Sequence, residues 1–440
     1  MRRHGPALLA LVGCTLAYGS ARAQDPATKV PTRLAIHAQS AQTLADSVGI
    51  VTHLDYLDTP YADFEKIKSS LAYLGIHNLR DTMPRTNTVP YESLAALHYH
   101  FDLVVRSEAA NELPVTLHQL ERLEQHYPGA IAAIEGLNEA NHWPAAYHGL
   151  HDFPAAIALQ RDLYAAVKHS PTLLHVPVYA PTLGGAGPND YQRLGDLSEY
   201  ADSANAHIYF PKGSPPATVW AGALALNRLS TPRLTQTVIT ETGYTTALHS
   251  EHRVDEPTQA KYLLTLLAHA WSQGIRTLYI YALVDDSTND ADWTRGLGLY
   301  RHDWSAKPAA AAIHHLLEAL RSRRSPATTH PPPGLSYNIS PGSDQARWLL
   351  LRKEDGCLAL LVWRDVSLWD SSTFAPRNYS PTHVSLTATG STLAVALIEP
   401  LSGARHALPA GNRRVEFDLT DSPLLLELCA GPAAAVANAR

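Results

Sequence analysis

From Val48 to Arg324, short apolar runs rich in Ile, Val and Leu alternate with longer segments whose apolar residues recur every three or four positions. The alternation completes eight times, and no other feature restricts the fold so strongly. A short apolar run reads as a buried strand, and a 3.6-residue period reads as a helix packed by one face. The expected strands are Val48–His53, His77–Met83, Asp102–Ser107, Ile131–Glu139, His175–Thr182, Ala204–Phe210, Thr237–Thr242 and Thr277–Leu283. Helical spacing follows each of them, as in Phe64, Ile67, Leu71 and Leu74, or Ala260, Leu263, Leu264, Leu267 and Trp271. Eight strand–helix units in about 280 residues predict an α/β fold, the (β/α)8 or TIM barrel. An open doubly wound sheet is the alternative. It would gather polar residues at one crevice, whereas here they follow strands throughout. The sequence has no Gly-rich dinucleotide fingerprint and no phosphate-binding loop.

Outside the barrel the character changes. Residues 1–23 read as an export signal, with Arg2 and Arg3, an apolar stretch from Ala7 to Leu16, and Ala21-Arg22-Ala23 before Gln24. Leu11-Val12-Gly13-Cys14 offers a competing lipid anchor at Cys14. The expected barrel domain is 33–324, followed by a Pro/Thr/His-rich linker at 325–335. Residues 336–432 then show short alternating runs without helical period: Trp348–Arg352, Leu358–Trp363, His383–Thr387, Leu393–Ile398, Val415–Leu419 and Leu424–Cys429. These predict a small all-β sandwich. No further stretch is apolar enough for a transmembrane span.

Charge and cysteines exclude some functions. The chain has 35 Lys and Arg against 41 Asp and Glu. Loss of the leader, which holds three arginines and no acid, leaves 32 against 41, or −9. An acidic exported protein is a poor partner for nucleic acid. Cys357 and Cys429 remain after export; they pair as a disulfide or stay as buried thiols, and the sequence leaves both open.

In a barrel of this kind, chemistry collects where the strands end. Strand one ends on His53 and Asp55, strand two on Arg80 and Asp81, strand four on Asn138 and Glu139. Strand six gives His207 and Tyr209, strand seven Glu241, strand eight Tyr281 and Asp285, and nearby loops add Asn141, His142, Trp143, Trp220 and Trp293. A buried carboxylate at a strand end is costly without a partner or a task. A pair of them is what retaining glycoside hydrolysis requires. Aromatic residues at the mouth suit sugar rings, whose C–H faces are apolar.

On these residues the chain resembles clan A of the glycoside hydrolases, over Val48 to Arg324. That clan carries its acid/base directly after an Asn on strand four and its nucleophile on strand seven, as Asn138-Glu139 and Glu241 do here. The resemblance implies Glu139 as acid/base, Glu241 as nucleophile, and Asn138 as holder of the sugar 2-hydroxyl. It also implies Arg80 and Tyr209 as partners of Glu241, and His207 as a wall of the sugar pocket. Many members carry a Trp at the end of strand eight. This chain has Tyr281 there, so Tyr281 or Trp293 takes the platform role; His53 at its strand end and Trp143 in its loop are substrate-binding candidates of their own.

The expected partner is a carbohydrate, with no cofactor and no metal; the oligomeric state is open. Three other functions compete with hydrolysis: transglycosylation by the same glutamates, glycan binding on a degenerate barrel, and a metal-dependent hydrolase using His53, Asp55, His207 and Asp285. The acidic loop 285–292 lacks the Gly and closing Glu of an EF-hand and reads as a solvated substrate loop.

Overall fold

The computed structural model describes residues 38–84, 87–289, 291–321, 336–341, 345–389, 393–409 and 414–430. The leader, Cys14 and the linker lie outside them.

Eight parallel strands form the barrel: β1 (Val48–Val51), β2 (Asn78–Thr82), β3 (His100–Val105), β4 (Ile131–Leu137), β5 (Val178–Tyr179), β6 (Ala204–Tyr209), β7 (Thr237–Gly243) and β8 (Leu278–Ile280). The hydrogen-bonded order is β5-β4-β3-β2-β1-β8-β7-β6. A single bridge, Tyr179 to Ser203, joins the two ends and nearly closes the barrel. The helices that follow the strands are α1 (Phe64–Leu74), α2 (Val89–Ala95), α3 (Leu113–His126), α4 (Asp152–His169), α5 (Pro188–Leu194), α6 (Pro216–Asn227), α7 (Glu256–Ser272) and α8 (Pro308–Leu320). Their buried faces carry the predicted residues, among them Ile67, Leu71 and Leu74 on α1. The expected fifth strand shrinks to two residues, because Pro177 and Pro181 flank it and cannot donate to a ladder.

Apolar side chains fill the layer between strands and helices. The barrel interior is different. Two small apolar clusters, Ala133 with Tyr179 and Val238, and Val51 with Tyr279 and Ala282, stand apart from that layer, and the strands also bury Arg80, Asp102, Glu135 and Glu241. Charged groups therefore stand inside the barrel, just below its mouth.

The second domain holds strands β9 (Ser336–Pro341), β10 (Ala346–Arg352), β11 (Leu358–Arg364), β12 (Thr382–Thr389), β13 (Leu393–Glu399), β14 (Ala404–Leu408), β15 (Arg414–Leu419) and β16 (Leu424–Ala430). β10-β11-β16-β13-β14 form one antiparallel sheet and β9-β12-β15 another, with a shared apolar core. β14 escaped the sequence pattern because its residues are half or fully exposed and carry no apolar face. Gln39 and Ser40, ahead of the barrel, add parallel to β10. Cys357, just before β11, and Cys429 on β16 form a disulfide. Trp363, Trp369 and Leu425 join the barrel's outer core, and Lys261 on α7 pairs with Asp421 at 2.9 Å. Among the described residues, no helix is long and apolar enough to cross a membrane.

Candidate active site

The β7 strand shows how the backbone aims a side chain. Strand residues alternate faces, so Thr240 and Glu241 should point oppositely. A register shift against β6, between Ile239 and Glu241, turns both inward. Thr240 Oγ1 then reaches Glu135 at 3.2 Å, while Glu241 reaches Arg80 and Tyr209.

Glu241 is 7% exposed. Its Oε1 accepts from Arg80 Nη1 at 2.6 Å and its Oε2 from the Tyr209 hydroxyl at 2.7 Å. Arg80, also buried, extends Nη2 to Asn138 Oδ1 at 2.9 Å. Two fixed donors on opposite oxygens hold the carboxylate in one orientation.

Glu139 follows β4 in the left-handed backbone region, φ 39°. Such a conformation persists in a non-glycine residue only when the surroundings impose it. Here its N–H donates to Thr182 Oγ1 at 2.9 Å, and its carbonyl accepts from the N–H groups of His142 and Trp143 at 2.7 and 2.9 Å. Asn141 and Gly184 exchange two further bonds, 2.7 and 2.9 Å, which tie this loop to the one after β5. The Glu139 carboxyl meets His207 Nδ1 at 2.9 Å, and the same nitrogen lies 3.4 Å from Glu241 Oε2. Glu139, His207 and Glu241 each offer an atom within 4.8 Å of the others.

Electrostatics depart from one expectation. An acid/base residue suits a raised pKa, yet Glu139 is held below the ordinary carboxylate range. Burial alone raises it, but the His207 hydrogen bond and charge, with His142 and Arg80 adding to them, outweigh burial. Removing that influence should show in the pH profile. Under the acid/base role, catalysis needs the Glu139 proton, which is lost as pH rises through its lowered pKa. His207→Ala removes the largest influence that opposes burial, so the alkaline limb of kcat/KM should move to higher pH, as initial rates across pH will read.

The other predicted residues divide. His53 Nε2 lies 3.1 Å from the Tyr281 hydroxyl, and its ring stacks on Tyr56 at 4.5 Å. Burial pushes His53 down to about 4, against a raising pull from Glu241. Tyr281 also edges Tyr209, whose ring meets Trp293 at 4.9 Å, so these aromatics share one wall with Glu241. Trp143 is 60% exposed on the loop beyond Glu139 rather than packed. Trp220 is not at the mouth: it is buried on α6 against His269 of α7, because the helical period, not the strand end, sets its direction. Asp55 pairs with Arg106, and Asp81 accepts from Thr52, Leu54, Thr82 and Tyr91. The loop acids are not solvated as expected: Asp285 pairs with buried Lys307 at 2.8 Å and Asp286 with Arg295 at 2.5 Å. His53, Asp55, His207 and Asp285 thus each have separate partners and do not form a common ligand set.

Sequence reasoning missed Glu135, Thr182, Gly184, Asn205 and Thr240. Glu135, four residues before Glu139, was visible as a charge inside an apolar strand. Gly184 is needed by close approach: a Cβ there would lie 2.4 Å from Glu139 Cδ. The colliding atoms are the far end of a flexible side chain, so Gly184→Ala should fold normally yet displace the carboxyl. An unchanged melting temperature with kcat down at least about 10-fold is expected, since displacements near 1 Å cost that much or more.

No protein-family model matches the chain, and no curated protein matches it in sequence. Solved structures match in fold. A family 39 glycoside hydrolase from the gut symbiont Bacteroides cellulosilyticus superposes with a TM-score of 0.60 at 14% identity, covering 89% of this chain and 82% of that one. A family 39 enzyme from Xanthomonas axonopodis pv. citri gives 0.55 at 15% identity, covering 90% and 96%. A family 30 subfamily 8 xylanase from Clostridium acetobutylicum gives 0.54 at 10% identity, covering 88% and 96%. At such identities they establish the fold, a barrel with an appended sandwich as in clan A glycoside hydrolases.

Proposed function

We propose that the protein is an exported retaining glycoside hydrolase acting on a β-linked poly- or oligosaccharide. One observation carries the reading. A half-buried Glu139 and a buried Glu241 at the mouth present carboxyl oxygens within 4.8 Å of each other. Retention requires carboxyls about 5–5.5 Å apart, and inversion needs about 6.5–9.5 Å to admit a water between them. The roles follow from their surroundings. Glu241, fixed by Arg80 and Tyr209, attacks the anomeric carbon. Glu139 gives its proton to the leaving oxygen as that C–O bond breaks. Water then attacks the same carbon, its proton passes to Glu139, and the Glu241 ester is released. A substrate oxygen that replaces His207 beside Glu139 would remove the hydrogen bond that lowers its pKa and leave burial, which raises it. Asn138 has given its Oδ1 to Arg80, which leaves its amide NH2 to donate to a sugar hydroxyl.

A xylanase is among the fold neighbours, and the aromatic wall of Tyr209, Tyr281 and Trp293 suits a pyranose ring. The leader sequence and the Cys357–Cys429 disulfide support export. Sugar release from β-linked glucans, mannans, xylans, galactans and bacterial exopolysaccharides tests the reading. Retained anomeric configuration in the first product, by NMR, is expected; inverted product would refute double displacement. Release without chain transfer separates hydrolysis from transglycosylation.

A metal reading has one supporting observation, since Glu139, His207 and Glu241 could hold a cation. Arg80 already places a positive charge 2.6 Å from Glu241 and disfavours a second. Activity should therefore survive dialysis against a chelator. Loss that a divalent ion restores would replace this mechanism with a metal-assisted one.

A further inference from the structure

Below the two glutamates lies a layer with more acid than the proposed reaction uses. Arg80 on β2 and Asp102 on β3 are register partners, and Glu135 follows on β4. All three are buried, Asp102 completely. Glu135 takes Arg80 Nε on one oxygen at 2.6 Å and Nη2 on the other at 3.2 Å. It also accepts from Asn205 Nδ2 at 2.9 Å and Thr240 Oγ1 at 3.2 Å. Four donor contacts on one carboxylate leave Arg80 a single orientation, the one that sends Nη1 to Glu241.

Asp102 has no such support. Among the described residues, no N–H or O–H donor reaches either of its carboxyl oxygens. The charged and titratable groups that face it are Arg80, Glu135, Tyr179 and Tyr279. One guanidinium thus serves Glu135, Glu241 and Asp102, and its nitrogens are bonded to the first two. An ionised carboxylate with no donor in a dry interior is far too costly to persist. Burial first, then the Glu135 charge, push Asp102 well above the usual carboxylate range, with Arg80 opposing. Its available hydrogen-bonding neighbour is the Glu135 carboxylate, and two carboxyls bond only when one keeps its proton.

We propose that Asp102 is an un-ionised carboxylic acid donating to Glu135, and that the Asp102–Glu135 pair is the positioning layer that fixes Arg80 against Glu241. The proton bridges two acids, so the layer carries one negative charge against one guanidinium. Glu241 is then the group whose charge Arg80 partly balances at the mouth. Neither Asp102 nor Glu135 touches substrate.

The positioning role rests on Glu241 being the nucleophile, while the protonation of Asp102 does not, so two measurements separate them. Infrared spectra at mildly alkaline pH, above the value of about 7 to which burial pushes Asp81, should show the C=O stretch of an un-ionised carboxyl in the wild type and lose it in Asp102→Asn. No such band, or one that persists in Asp102→Asn, overturns the assignment whether or not a substrate is known. For positioning, Asp102→Ala should lower kcat about 10-fold with a smaller change in KM, because the lost contact acts through Arg80, mainly on Glu241 and secondarily on Asn138. Asp102→Asn, whose amide can still donate to Glu135, should recover most of that loss. If both variants fall equally while folded by circular dichroism, or if KM rises in step with the loss, the layer does not position. If the wild type cleaves nothing, the proposed reaction fails and the infrared result still stands or falls alone.

Discussion

Under the proposed double displacement, Glu241→Gln should lower kcat by at least about 10⁴-fold, because Glu241 is the group that forms the covalent intermediate there. Glutamine keeps the shape: its amide oxygen can still accept from Arg80, and its amide NH2 can donate to the Tyr209 hydroxyl oxygen, the two groups that hold the present side chain at 2.6 and 2.7 Å. The fold should therefore survive, with a melting temperature within a few degrees of wild type. Glu139→Gln should behave differently. With a leaving group that needs no proton, its first chemical step stays fast and only deglycosylation slows. With a natural glycan both steps slow. Rates on an activated aryl glycoside against the natural sugar read this contrast. Glu241→Gln with wild-type turnover would remove the nucleophile assignment. Glu139→Gln equally slow on both substrates would remove the acid/base assignment.

The site was legible where a residue's meaning depends on its place along the chain. Asn138-Glu139 and Glu241 stand at the ends of apolar runs, and the eightfold alternation fixes those ends at one mouth. Arg80, His207 and Tyr209 were found in the same way, as polar residues closing strands. What stayed hidden depends on neighbours distant in sequence. The bulge that turns both Thr240 and Glu241 inward arises from pairing with β6, and no local pattern announces it. Asp102 opened an expected strand, yet its missing donors appear only when β2 and β4 flank it. An acid/base role suits a raised pKa at Glu139, but His207, 68 residues away, reverses the effect of burial. Trp220 misled in the other direction, since a Trp after a strand end can still belong to the next helix's buried face. Two-residue β5 was over-read because apolar residues between prolines resemble a strand until the ladder is counted.

Arg80 carries the largest expected effect on stability. Its guanidinium is bonded to both Glu135 and Glu241, at 2.6 Å each. Arg80→Met keeps much of the side-chain volume but leaves a buried carboxylate at Glu135 and another at Glu241 without their ion pair. Removing one partner of a buried pair typically costs about 3–5 kcal/mol. A loss of that size should appear in denaturant unfolding, and it should shrink at acid pH, where protonation removes the stranded charge. Arg80→Lys separates charge from geometry. An ammonium keeps the positive charge, so most of the stability should return. It is a point donor, however, and cannot grip both oxygens of Glu135 while reaching Glu241 and Asn138. Activity should therefore stay low, about 100-fold down or more, with stability largely restored. Equal recovery of both would mean that charge alone suffices at this position. Recovery of neither would mean that the buried network needs the planar fork to exist at all, and the stability argument from charge would then fail.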